Sequence, residues 1–286
     1  MPSLIDIRRR IRSVKNTQQI TKAMKMVSAA KLRRAQDRVI AARPYASALR
    51  KVIANVAAAG ASDDGVAGNP LLAQRPQKRA LLVLVTGDKG LAGAFNTNLI
   101  KTAVRFPAEH DGAELTLELI GRKGRDFFRK RNAKISGEQI GLAAKPQYDE
   151  TAAIARRAMD MFRKEEIDAV YLLYNEFKSI MTQKVTLSRV LPVEVKAEQA
   201  PVDYIFEQSP GEMLEALLPR YVETEFYRAL LESTAAEHAA RMTAMDAATS
   251  NAGDVIDTLT LNMNRVRQAS ITKEIIEVVS GAAAAE

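Results

Sequence analysis

The residues best placed to do chemistry are the glycines of Thr86-Gly-Asp-Lys-Gly-Leu-Ala-Gly93, which follow an apolar run and precede a helical pattern. Glycines after a strand let backbone approach a phosphate, and the next helix's dipole favours the anion. Their spacing here is GxxGxxG, neither the GxGxxG of dinucleotide folds nor the GxxxxGK[ST] phosphate loop, which occurs nowhere in the chain. The competing reading is a tight strand-to-helix turn whose small residues admit close packing. The two histidines, His110 and His238, stand apart, and cysteine is absent. Disulfides, iron–sulfur clusters and Cys/His zinc sites are therefore excluded, and each lone imidazole reads as a surface or packing residue. No nucleophile–base pair is visible, so the pattern is that of a mechanical or adaptor protein, not an enzyme, with no cofactor and no metal.

The charge distribution is more specific. Net charge is +8, yet residues 1–56 alone hold fourteen Lys or Arg against Asp6 and Asp37. Such a basic segment suits an acidic protein, nucleic acid or an anionic surface. The charges come as clusters, Arg8-Arg9-Arg10 and Arg33-Arg34, interleaved with apolar positions. A DNA-binding basic helix would instead be followed by a leucine zipper. An acidic protein partner is the favoured reading, with a nucleic-acid adaptor or a plain coiled-coil scaffold as alternatives.

The elements that must carry these residues follow from periodicity. From Ser3 to Ala59 the pattern is helical, and Ser3 with Asp6 resembles a capping box. Leu4, Ile7, Ile11 and Val14 step by three and four, as a coiled-coil seam does. The seam turns polar at Gln18 and Thr21 and is expected to resume at Met24 and Val27. Pro44 is expected to kink or weaken this helix. Residues 60–78 read as a linker rich in Gly, Pro and polar residues.

Residues 79–208 alternate strands and helices. Ala80–Val85, Leu115–Ile120, Ile135–Ile140 and Ala169–Tyr174 read as strands, with Lys184–Val190 as an added edge strand. Helices are expected at Ala94–Arg105 and Asp149–Lys164, which together make a small, mostly parallel α/β unit. Ser209-Pro210-Gly211-Glu212 is a strong helix start, and helical pattern runs from there to about Val279, interrupted at Pro219 and softened at Gly253. Ile256, Leu259, Met263 and Val266 form one stepped seam, and Ile271, Ile275 and Val278 another. The expected fold is thus an antiparallel two-helix coiled coil of the chain's ends (residues 1–59 and 209–286) around a central Rossmann-like α/β domain. No run of about 18 apolar residues occurs that would span a membrane as a helix.

Ile7 to Gln36, reading IRRRIRSVKNTQQITKAMKMVSAAKLRRAQ, closely resembles the N-terminal signature of F-type ATP synthase gamma subunits. Asn264 to Ala283, NRVRQASITKEIIEVVSGAA, resembles the family's C-terminal signature, and Asp88–Asn96 and Ala240–Thr249 resemble internal segments. The likeness covers essentially the whole chain. It departs at Ala92, where many members carry Cys, and at Met263, where an aromatic residue is common.

The resemblance implies a central rotor shaft inside a ring of three alpha and three beta subunits, with epsilon and the c-subunit ring as further partners. Nucleotides would bind at alpha/beta interfaces, not on this chain. By family position, Met24 and Lys25 touch the acidic lever loops of beta, and Arg267, Gln268 and Thr272 meet a beta loop from the C-terminal helix. Tyr204, Phe206 and Glu207 fall where the foot meets the c ring, and the smooth Ala282, Ala283, Ala284 and Ala285 would turn in an apical sleeve. The basic, amphipathic Met1–Arg12 reads as mature protein, because its pattern runs on into the long helix. Together with the family this implies a bacterial complex, with the chain peripheral on the cytoplasmic face of the inner membrane.

Overall fold

The computed structural model describes residues 3–60, 64–110, 112–194 and 208–283. Two helices dominate: α1 (Leu4–Ala59) and, after the α/β elements, α6 (Pro210–Ala283). Both start as their sequences dictate. The Ser3 hydroxyl and backbone N–H both donate to the Asp6 carboxylate (2.9 and 3.3 Å), and Asp6 N–H returns a bond to Ser3 Oγ. At α6 the Glu212 N–H donates to Ser209 Oγ at 3.3 Å. Each satisfies helix-start donors that have no intrahelical acceptor. Pro44 and Pro219 lie within unbroken helix.

Between them come a short helix α2 (Asp64–Ala67) and a 3-10 turn at Pro70–Leu72, both inside the segment expected to be plain linker. Then follow β1 (Arg79–Val85), α3 (Phe95–Glu109), β2 (Glu114–Ile120), α4 (Arg122–Arg129), β3 (Ile135–Gln139), α5 (Tyr148–Arg163), β4 (Ala169–Phe177) and β5 (Gln183–Leu191). The sheet order is β3-β2-β1-β4-β5, with the first four strands parallel and β5 antiparallel at the edge. β1 is central and buried from Ala80 onward, as its continuous apolar run demands. The helix α4 is absent from the sequence reading. Its eight residues include four cations and a glycine, and only Gly124 and Phe128 are buried, so no apolar period announces it.

The chain divides into two compact units, Met1–Ser28 with Met242–Glu286, and Ala29–Arg241. In the larger unit one sheet face carries α3 and α4. Against the other, Leu81, Val83, Val85, Val170 and Leu172 share a core with α5, Leu49, Ile53 and Val56 of α1, and Leu214 to Leu230 of α6. In the smaller unit the first turns of α1 meet α6 antiparallel: Lys25 pairs with Asp246 and Thr21 with Thr249, so rising numbers on one helix meet falling numbers on the other.

Candidate functional site

Burial along α1 recurs at a strict interval of seven. Leu4, Ile11, Gln18, Lys25, Leu32, Val39, Ala46 and Ile53 form one series, and Ile7, Val14, Thr21, Ser28, Ala35, Ala42, Leu49 and Val56 the other, all of them buried or half-buried. On α6 within the smaller unit, Met245, Thr249, Ala252, Ile256, Leu259, Met263 and Val266 continue the same three-four stepping. A seven-residue repeat is slightly shorter than two turns of straight helix, which imposes a left-handed supercoil.

The seam corrects one expectation. It passes through Lys25 and Ser28, while Met24 sits half-buried at its margin and Val27 is exposed. Reading the apolar Met24 and Val27 as seam residues placed that turn one position out of phase, because the seam's own residues are polar here. Thr21 and Thr249 share a hydroxyl hydrogen bond at 2.7 Å, and Gln18 Nε2 donates to the Thr249 carbonyl at 3.3 Å. Lys25 reaches Asp246 at 2.6 Å across a partly exposed surface. Polar seam positions cost stability but select one register and one orientation.

A second correction concerns the end of α6. Ile271, Ile275 and Val278 step as a seam would, yet residues 271–280 are all exposed, and Ile276 and Val279 beside them are bare too. The seam that meets this chain's own partner helix stops near Ser270. A row of bare β-branched residues on a helix marks an interaction surface. Arg267 and Gln268 are exposed just before it, and the exposed Thr272 donates its hydroxyl to the Gln268 carbonyl at 3.0 Å. On α1, Arg8, Arg9, Arg10, Arg12, Lys15 and Lys22 are exposed, and none has an ion-pair partner among the described residues. The exposed basic face and the bare apolar row thus both lie in the smaller unit. Ala282 and Ala283 fall in the last turn of α6. Ala284 and Ala285, and Tyr204, Phe206 and Glu207, lie outside the described residues.

The glycine turn has its own geometry. The order β3-β2-β1-β4 reverses between β1 and β4, and doubly wound sheets bind ligands in the crevice at the carboxyl ends of such strands. Here α6 is packed at that place. A Cβ on Gly87 would stand 2.9 Å from the carboxyl carbon of Glu237, and Arg241 donates to the Gly90 carbonyl at 3.3 Å. The turn's polar groups face inward: Gly87 N–H donates to Asn96, and Asp88 accepts from the N–H groups of Arg122 and Gly141. Behind it Gly121 lies at φ +96°, where a Cβ would fall 2.0 Å from the Thr86 carbonyl oxygen. The glycines thus let a helix and a neighbouring turn approach, as the plainer reading of the motif has it.

The stretch of α6 beside that turn holds four buried carboxylates that sequence reasoning did not single out. Glu223 accepts from Tyr148 Oη (2.8 Å) and Arg156 Nε (2.6 Å). Burial, then the bond to Glu223, pushes the Tyr148 hydroxyl up to about 12. Glu225 accepts from Arg50 on α1 (3.0 Å) and from Arg228, whose guanidinium also reaches Tyr174 on β4. Burial works against the Arg228 charge, but Glu225 outweighs it and holds the group above its usual range. Glu232 joins Arg43 of α1 (3.2 Å) to the Phe177 N–H of β4 (3.0 Å). Glu237 pairs with Arg241, although burial raises its carboxyl above the ordinary range. Glu225 and Glu232 are seven apart, as are Arg43 and Arg50, an interval whose meaning shows only once the two helices are paired.

Both histidines are packing residues. His110 stacks on Phe106 with centroids 4.0 Å apart, and burial, then the charges of Arg241 and Lys31, depresses His238 to about 4. Among the described residues no cluster of His, Asp or Glu fits a metal, and no helix is long and apolar enough to cross a membrane.

Comparison with known proteins fits this geometry. A family model described as ATP synthase matches residues 3–285. An ATP synthase gamma chain from Solibacter usitatus is 76% identical over the full length of both chains, and one from Pelotomaculum thermopropionicum is 50% identical, also over both full lengths. Among solved structures, a chain of the Euglena gracilis mitochondrial ATP synthase OSCP/F1/c-ring assembly has the same fold, with a TM-score of 0.67 at 19% identity over 98% of this chain and 94% of that one. The chain belongs to the ATP synthase family, within its gamma chains.

Proposed function

We propose that the chain is the non-catalytic central shaft of a rotary, proton-translocating ATP synthase. Its partners are then three alpha and three beta subunits, the epsilon subunit and the c-subunit ring, and it lies peripherally on the cytoplasmic side of the inner membrane. The observation that carries this reading is the bare β-branched row of α6, Ile271 to Val279, in the same unit as an α1 face whose arginines have no ion-pair partner among the described residues. Such a helix pair offers apolar contact and positive charge to a surrounding protein with acidic loops. Met24, Lys25, Arg267, Gln268 and Thr272 are the proposed beta contacts, Tyr204, Phe206 and Glu207 the proposed c-ring contacts, and Ala282 to Ala285 the proposed bearing.

The mechanism follows from asymmetry. A ring of chemically identical sites is held in different states when each meets a different face of one shaft, because a partner shifts a conformational equilibrium only by its differential affinity. Turning the shaft moves those contacts from site to site. The plugged glycine turn agrees with nucleotide chemistry residing on other subunits.

Reconstitution of the complex with the Arg8, Arg9 and Arg10 to Glu variant tests the reading. Protons pumped per ATP hydrolysed should fall severalfold while the alpha/beta ring still forms. An unchanged ratio in the variant, or full coupling in a complex lacking the chain, contradicts it. A steeply salt-dependent affinity for DNA would favour the nucleic-acid adaptor instead.

A further inference from the structure

We propose that Glu223, Glu225, Glu232 and Glu237 are the torque-bearing contacts of this chain: they fix the rotational phase of α6 against the sheet. They thereby set how stiffly the α/β domain follows its helix pair. The inference rests on the rotary reading and identifies where the load passes.

Between Tyr221 and Ala239, α6 is buried on nearly every side, its buried side chains being Leu, Val, Phe and Ala interspersed with Glu, Ser and Thr. Apolar contact is non-directional, so a helix in an apolar sleeve resists withdrawal much better than it resists turning about its own axis. Directional groups add to that resistance, and between them the four glutamates grip α5, α1, β4 and the glycine turn. Glu223 holds α5 through Arg156 and Tyr148. Glu225 holds α1 through Arg50, and β4 through Arg228 and Tyr174. Glu232 holds α1 through Arg43 and the end of β4 through the Phe177 N–H. Glu237 fills the space over Gly87, and its partner Arg241 bonds Gly90. The ties lie on two opposite faces of the helix, so turning α6 either way strains at least one charged hydrogen bond. Buried charge networks often add little net stability against apolar replacements and are best attested as devices of register. That property is useful in a part that must be stiff.

The test uses the assembled complex with alpha and beta fixed to a surface. A bead is attached through Met181→Cys, at the exposed tip of the β4–β5 hairpin in a chain without native cysteine. With the complex stalled without nucleotide, the bead's angular variance reads torsional stiffness. Two variants are compared, E223Q/E232Q and E225M/R228M, the second replacing a buried pair with apolar side chains of similar length. Ties acting in parallel add, so losing two of four in E223Q/E232Q halves the stiffness and should raise variance about twofold. Losing one in E225M/R228M should raise it by about a third, with thermal midpoint and unloaded ATPase near the parent's in both. In E223Q/E232Q carrying Thr234→Cys and Ala143→Cys, whose parent side chain and carbonyl are 2.8 Å apart, a thiol cross-linker should restore the parent variance. Unchanged variance in both variants overturns the proposal, as does a rise that the cross-link does not reverse or that accompanies an equal loss of thermal midpoint. A parent complex that hydrolyses ATP without turning its bead defeats the rotary reading itself, a separate result.

Discussion

The helix α6 is built in two ways along its length. From Tyr221 to Ala239 it is buried almost all round, and its carboxylates are internal and mostly tied to other elements. From Met245 onward it buries one narrow seam, and from Ile271 to Ser280 it buries none. One stretch is shaped to be held by its own chain, the other to be touched from outside. Both stretches are continuous α-helix, so the difference lies in what surrounds the side chains.

Glycine substitutions should expose this contrast most strongly. Gly121→Ala places a methyl group 2.0 Å from a carbonyl oxygen at a positive φ, and a loss of about 4 kcal/mol or more is expected by denaturant unfolding. Gly253→Ala sits in α6 with only Gln18 Nε2 at 3.4 Å from the new methyl. It should raise stability by about 0.5–1 kcal/mol, through helix propensity. Similar outcomes for the two would abolish the distinction.

Carboxylate deletions come next. Glu232→Ala leaves the buried Phe177 N–H without its acceptor and should cost about 2–3 kcal/mol in the same measurement. Asp246→Ala breaks only a partly exposed ion pair with Lys25 and should cost at most about 0.5 kcal/mol. An effect of intermediate size is expected from pH. His238 is depressed to about 4 in the folded state, so the unfolded chain binds more protons between pH 4 and 6.5. Stability from this group is present above pH 6.5 and lost as pH falls toward 4. Allowing for the ring's partial exposure, the loss amounts to about 1–2 kcal/mol. Glu237, raised by burial, contributes with the opposite sign, so the difference between parent and His238→Gln midpoints isolates the histidine. An identical acid slope in the two proteins would show that the imidazole is not desolvated.

The same contrast explains what the sequence made legible. Strands buried on both faces, such as Ala80–Val85 and Ala169–Tyr174, announce themselves because nothing but apolar residues can occupy them. The capping residues Ser3 and Ser209 mark both long helices, since helix ends need side-chain acceptors. Met24 and Val27 misled because an apolar residue off the seam is the same letter as one in it, while the seam's own residues here, Lys25 and Ser28, are polar. Ile271, Ile275 and Val278 have a seam's spacing whether the partner is this chain or another, and periodicity cannot tell which. The four glutamates of α6 were invisible because a buried carboxylate and a solvated one are the same letter. Only the arginines brought near them by the fold distinguish the two.

The most direct test of the account is rotation itself. With the alpha/beta ring fixed and a bead on Met181→Cys, ATP should drive continuous one-way turning of the α/β domain. ATP hydrolysis at the normal rate with a bead that only fluctuates about one angle would contradict it.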